Sequence, residues 1–104
     1  PWTIAKGFNG SAPISEKFLP LSEFPDLKNI NFSLQVNGET KQSGNTSLML
    51  FDFNFMIAYL SKFFTLKTGD LIFTGTPAGV GPVKIGDRLV GFIEDKEMLN
   101  FEVK

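Results

Sequence analysis

Residues 74–82 read Thr-Gly-Thr-Pro-Ala-Gly-Val-Gly-Pro, a run without a single charged or aromatic side chain. Small residues let the backbone approach a bound molecule closely, and Thr hydroxyls with free N–H groups can hold a carboxylate or a developing oxyanion. The whole run, Thr74 to Pro82, is therefore a candidate anion-binding loop, although an ordinary wide turn would use the same residue types. The Gly-Lys-Ser/Thr ending of a Walker loop and the Gly-x-Gly-x-x-Gly spacing are both absent, so the run is not a nucleotide loop. Lys6 is a candidate of another kind, since Ala5, Gly7 and Phe8 surround it instead of other charges. A lysine so placed can be partly desolvated and offer its cation to an enolate or carboxylate; a solvated surface lysine is the plainer alternative.

The chain has no His and no Cys. No side chain ordinarily titrates near neutrality, there is no thiolate nucleophile, and a general base would have to be a perturbed Lys, Asp or Glu. Asp52, Asp70, Asp87 and the Glu94-Asp95 pair lack the spacing of an oxygen-ligand loop such as an EF-hand, and suit helix caps and turns better. Residues 42–46, Gln-Ser-Gly-Asn-Thr, read as a loop with local hydrogen bonds.

The elements that must position these residues are mostly strands. Four prolines and two glycines within residues 1–30 predict an irregular, extended segment. Phe32, Leu34 and Val36 then alternate with polar residues as in a half-buried strand. Asn37-Gly38 accepts the positive φ of a type I′ turn, so residues 39–43 are expected to return antiparallel. Asp52 is a plausible N-cap for a helix ending near Leu66, with Phe55, Met56, Tyr59, Leu60, Phe63 and Phe64 on one face as core or subunit interface. Leu71-Ile72-Phe73 reads as a buried strand. Residues 88–94 and 98–103 form two further strands about a tip at Asp95-Lys96-Glu97. The pattern predicts a mainly β chain with one main helix, α+β or an all-β roll, instead of alternating βαβ units.

Composition excludes several classes. At 104 residues the chain is at most one domain. A net charge of -1 offers no basic excess for nucleic acid. The apolar stretches fall short of a membrane span and the N-terminus lacks a signal-peptide layout, so a cytoplasmic protein with neither nucleic-acid nor membrane partner is expected. Opening on Pro1-Trp2 suggests a processed product or a piece of something larger.

Three strings carry a resemblance: WTIAKGFNG at residues 2–10, VNGETKQSGNT at 36–46 and TGDLIFTGTPAGVGP at 68–82. In order and separation they resemble the C-terminal half of the fumarylacetoacetate hydrolase family, most like its acylpyruvate hydrolase and oxaloacetate decarboxylase branch, over essentially the whole chain. The resemblance implies a β-roll of mixed sheets whose N-terminal part is missing here, with residues 1–104 as the C-terminal portion of the catalytic domain. It implies a homodimer in which Mg²⁺ or Mn²⁺ chelates a small-molecule 2-oxo or 2,4-dioxo acid while a carbon–carbon bond breaks by hydrolysis or decarboxylation. Lys6 would stabilise the negative charge, residues 74–77 would cradle the substrate carboxylate, and Gly10 would lie near the ion. The carboxylates that ligate the metal in the family precede the segment matching Trp2, so this chain alone is expected to bind no metal and to be inactive. An isomerase of unsaturated 2-oxo dioic acids from aromatic breakdown is the alternative within the family. A non-catalytic dimerising fragment is the alternative outside it.

Overall fold

The Asn37-Gly38 pair takes φ of 52° and 81°, and this turn sets the register of the first hairpin, in which Val36 faces Glu39. The computed structural model describes residues 12–104. Strands β1 (Asn31–Val36) and β2 (Glu39–Asn45) form that hairpin, and β3 (Arg88–Ile93) and β4 (Lys96–Glu102) form a second. They join through an antiparallel β1–β3 pairing into one four-stranded sheet of order β2-β1-β3-β4. The expected mainly β fold with one main helix is what the chain forms, and its described sheet is antiparallel throughout.

Lys41 is the extra residue of a bulge on β2, because Leu34 pairs with Gln42 while Gln35 pairs with Thr40. The return strand runs to Asn45, two residues beyond the predicted 39–43, so residues 42–45 are strand and not loop. The second tip is Glu94-Asp95, with Ile93 opposite Lys96, instead of the predicted Asp95-Lys96-Glu97. Glu94 takes φ 54°, and its carboxylate accepts from the Asn31 backbone N–H at 3.1 Å and the Asn31 amide at 3.3 Å. That anchorage on β1 draws the turn one residue earlier.

Helix α1 (Phe53–Ser61) starts as predicted, with Asp52 Oδ1 accepting the Phe55 N–H at 2.8 Å. It ends five residues short of Leu66. Its last turn tightens as the N–H groups of Lys62 and Phe63 donate to the carbonyls of Tyr59 and Leu60. Residues 12–30 hold only a single 3₁₀ turn, Leu21–Glu23, in keeping with the irregular segment expected there. No strand forms at Leu71-Ile72-Phe73, where Leu71 and Phe73 are exposed. A short apolar run becomes a strand only where a neighbour pairs with it, and among the described residues none does.

Ile30 is the one buried apolar residue among those described. Phe51, Phe55 and Tyr59 stack successively from just before α1 into it, with centroids 4.7 and 6.2 Å apart, and Phe63, just past its end, packs tilted on Tyr59 at 5.3 Å. All four remain about half or more exposed, so among the described residues they are not core. The Cα radius of gyration is 15.0 Å, against about 13 Å for a compact domain of this length. Among the described residues nothing covers this aromatic surface.

Among the described residues the one buried charged residue is Asp87. Its Oδ2 accepts the Lys84 N–H at 3.0 Å and its Oδ1 the Asn37 amide at 3.0 Å. Asn37 in turn accepts the Arg88 N–H at 2.9 Å, so the I′ turn is clasped to the start of β3. The Lys84 N–H first, and the Asn37 amide second, hold the Asp87 carboxyl below its ordinary pKa. A lowered folded value stabilises the fold above the unfolded value of about 3.9, and that contribution is lost as pH falls through the folded value. Asp87→Asn sets an amide donor against one of two donors, so the melting temperature should drop at neutral pH and fall less steeply on acidification. Thermal melts across acid pH check this; a variant with the wild-type acid slope would remove Asp87 from that role.

Candidate functional site

Between α1 and β3, residues 62–87 form no regular element, and the candidate binding loop lies within them. Gly75 and Gly79 take φ of 93° and 107°, which a side chain would strain. Space is open around Gly75, whereas at Gly79 a Cβ would overlap the backbone carbonyl of Lys41. The loop therefore rests directly on the β2 bulge, whose extra residue supplies that carbonyl.

A side chain reinforces the contact. Gln42, half-buried beside the bulge, directs its amide nitrogen at the Thr76 hydroxyl (2.7 Å) and the Pro77 carbonyl (2.8 Å). These bonds join residues 34 and 35 positions apart, where only local bonds were expected for residues 42–46. Thr46 also reaches beyond its neighbourhood, accepting the Ile30 N–H and donating to the Leu27 carbonyl. Sequence reasoning missed Gln42 as a site residue. Neither the bulge beside it nor the half-burial of its amide is visible in the sequence, so no local signal marks it.

Of the predicted site residues, Thr76 and Pro77 are held against β2, while Thr74 and Gly75 are exposed on the approach to them. Lys6 and Gly10 lie outside the described residues. The concavities lined by Leu27, Met49 and Phe53, and by Phe24, Pro25 and Ile93, do not include the loop. Thr76 faces open surface. A hydroxyl and backbone N–H groups on a braced loop can bind and orient an anion, but nothing in residues 74–77 titrates, so proton transfer needs another group.

Among the described residues no cluster of three His, Cys, Asp or Glu can hold a metal ion. The aspartates serve the backbone instead: Asp70 accepts the Lys67 N–H at 2.8 Å, as Asp52 and Asp87 do at their cap and turn. The described residues do not fit a divalent ion. Nor is any described helix long and apolar enough to cross a membrane.

Comparison with known proteins adds the wider context. A family model described as fumarylacetoacetate (FAA) hydrolase C-terminal matches residues 1–104. The mitochondrial oxaloacetate tautomerase of Bos taurus is 46% identical over 104 residues, which are 100% of this chain and 47% of that protein. The oxaloacetate tautomerase YcgM of Escherichia coli K12 is 52% identical over 90 residues, 86% of this chain and 41% of that protein. A crystal structure from Yersinia pestis CO92, assigned to the fumarylacetoacetate hydrolase family, superposes with TM-score 0.91 at 45% identity, covering 100% of this chain and 47% of its own. The chain thus spans about half the length of the relatives it matches.

Proposed function

The chain belongs to the fumarylacetoacetate hydrolase family, and we propose that it is the carboxylate-binding C-terminal portion of an enzyme that acts on oxaloacetate or acylpyruvate-type 2-oxo acids through an enolate. The observation that carries this reading is the braced loop, with Thr76 fixed on β2 by Gln42 and Gly79 seated on Lys41. Decarboxylation and hydrolytic cleavage both send the electron pair of the breaking carbon–carbon bond to the 2-oxo oxygen. Tautomerisation, which the names of the curated relatives favour as a second reading, places charge on the same atom. One carboxylate clamp therefore serves all three.

Thr76 and the loop N–H groups would hold the substrate carboxylate, and Lys6 would face the enolate oxygen. A divalent ion, implied by the family likeness, would supply Lewis acidity with ligands from outside the described residues. A homodimer belongs to the same proposal and would cover part of the aromatic face of α1.

A clamp on a group charged before and during reaction contributes uniform binding. Thr76→Val in the complete enzyme should therefore raise KM for oxaloacetate roughly tenfold to a hundredfold, the equivalent of one charge-assisted hydrogen bond of about 1.5 to 3 kcal/mol, with kcat little changed. Steady-state assays following both pyruvate release and decay of enol absorbance test the role and separate cleavage from tautomerisation. A wild-type KM in a folded Thr76→Val variant would remove the clamp.

A further inference from the structure

We infer that Gln42 is a positioning residue that commits the Thr76 hydroxyl to donating outward, and so makes the loop selective for a group that only accepts hydrogen bonds, an ionised carboxylate. This deepens the carboxylate-clamp reading above and rests on it. The Pro77 carbonyl can only accept, so the end of Gln42 that meets it at 2.8 Å must be the nitrogen. An amide nitrogen carries two hydrogens. One is engaged by Pro77, and the other points to Thr76 Oγ1 at 2.7 Å. Thr76 Oγ1 therefore accepts from Gln42, and its own proton is turned toward the open surface, where among the described residues it donates to no protein atom.

The polarity is enforced from behind. Gln42 is paired in β2 opposite Leu34 and is half-buried, so its amide cannot turn over without opposing its oxygen to the Pro77 carbonyl. The neighbouring bulge residue Lys41 holds the same loop at Gly79. A threonine free to rotate would present lone pairs as readily as its proton, and would discriminate poorly between a carboxylate and a donor such as a carboxamide or neutral acid. With the lone pair engaged, the hydroxyl offers a donor already oriented for an anion.

The test uses the complete enzyme, with oxaloacetate as probe, and four variants: Gln42→Glu, Gln42→Met, Thr76→Val, and Thr76→Val with Gln42→Met. In Gln42→Glu the carboxylate captures the Thr76 proton and adds like charge beside the substrate, so KM should rise at least about tenfold while kcat stays within about twofold. Gln42→Met keeps the volume without donor or charge, and its KM should rise by a smaller factor. The double variant should be no worse than Thr76→Val alone, because Gln42 acts through Thr76. A purely structural glutamine would instead lower stability and active fraction, leaving KM as in the wild type. Raised KM in Thr76→Val with wild-type KM in both Gln42 variants would overturn the inference while the clamp stands. Wild-type KM in Thr76→Val would overturn the clamp itself. Should Gln42→Glu fail to fold by circular dichroism, Gln42→Met and the double variant decide alone: additive effects refute the inference and non-additive effects support it.

Discussion

Gly79→Ala should lower kcat/KM of the complete enzyme by about a hundredfold or more, whereas Gly81→Ala, two residues along the same loop, should leave it near the wild-type value. Both glycines sit in the same apolar, proline-bounded run, and composition does not distinguish them. Geometry does. A residue held at the φ of 107° found at Gly79 costs of order 1–3 kcal/mol when it is not glycine. Its Cβ would also overlap the Lys41 carbonyl, which is backbone and cannot swing aside as a side chain end could. The loop must therefore lift from β2, stretching the bonds from Gln42 to Thr76 and Pro77. A displacement of about 1 Å in a positioning element can cost about a hundredfold in rate. At Gly81 a Cβ meets nothing within 4 Å and φ is not positive, so the change belongs with surface substitutions, within about 0.5 kcal/mol. Kinetics and melting curves of the two variants check the contrast, and equal activity in both would show that the loop does not need its seat on the bulge.

The parts of the fold legible in the sequence are those whose cause is local. Asn37-Gly38 turns because two adjacent residues accept positive φ, and Asp52 caps α1 because its oxygen reaches an N–H three positions on. The aspartates at positions 70 and 87 likewise hold backbone N–H groups three residues away. What failed depends on distant partners. Leu71-Ile72-Phe73 has the composition of a buried strand, yet no described strand lies beside it. The second hairpin turns at Glu94 because that carboxylate reaches Asn31, 63 residues earlier. Gln42 reads as one polar residue among several until the fold brings Thr76 to it.

The aromatic residues of α1 show the same limit from the other side. Their spacing predicted one apolar face, and they do stack along one side of the helix. Periodicity reports that a face is apolar, not what covers it. In the candidate site, residue chemistry marked the 74–82 run as able to hold an anion, and the resemblance narrowed it to residues 74–77 and attached a substrate to them. The brace behind them, made of a bulge carbonyl and an amide, leaves no mark in local patterning.

Lys6→Met should lower kcat of the complete enzyme by about a hundredfold to a thousandfold while changing KM far less, the reverse of the effect expected at Thr76. The difference follows from when each charge appears. In the proposed reaction the substrate carboxylate is ionised throughout, whereas charge on the 2-oxo oxygen grows only as the enolate forms. A cation placed at that oxygen thus stabilises the transition state more than the bound substrate, and such an interaction is read in kcat. Lys6 has Ala5 and Gly7 on either side and no charged residue nearer in sequence than Glu16. Nothing adjacent in the chain competes for its ammonium group. A lysine is suited to the task because its charge is compact and its stem flexible, so Lys6→Arg, with a planar and more diffuse cation, should recover only part of the lost turnover. Parallel kinetics of the two variants, with folding verified by circular dichroism, decide between an enolate-facing cation and a solvated surface group. Wild-type turnover in folded Lys6→Met would move that charge stabilisation to another residue. A tenfold or larger rise in KM at unchanged kcat would make Lys6 a second carboxylate ligand, acting beside Thr76 in binding and not in catalysis.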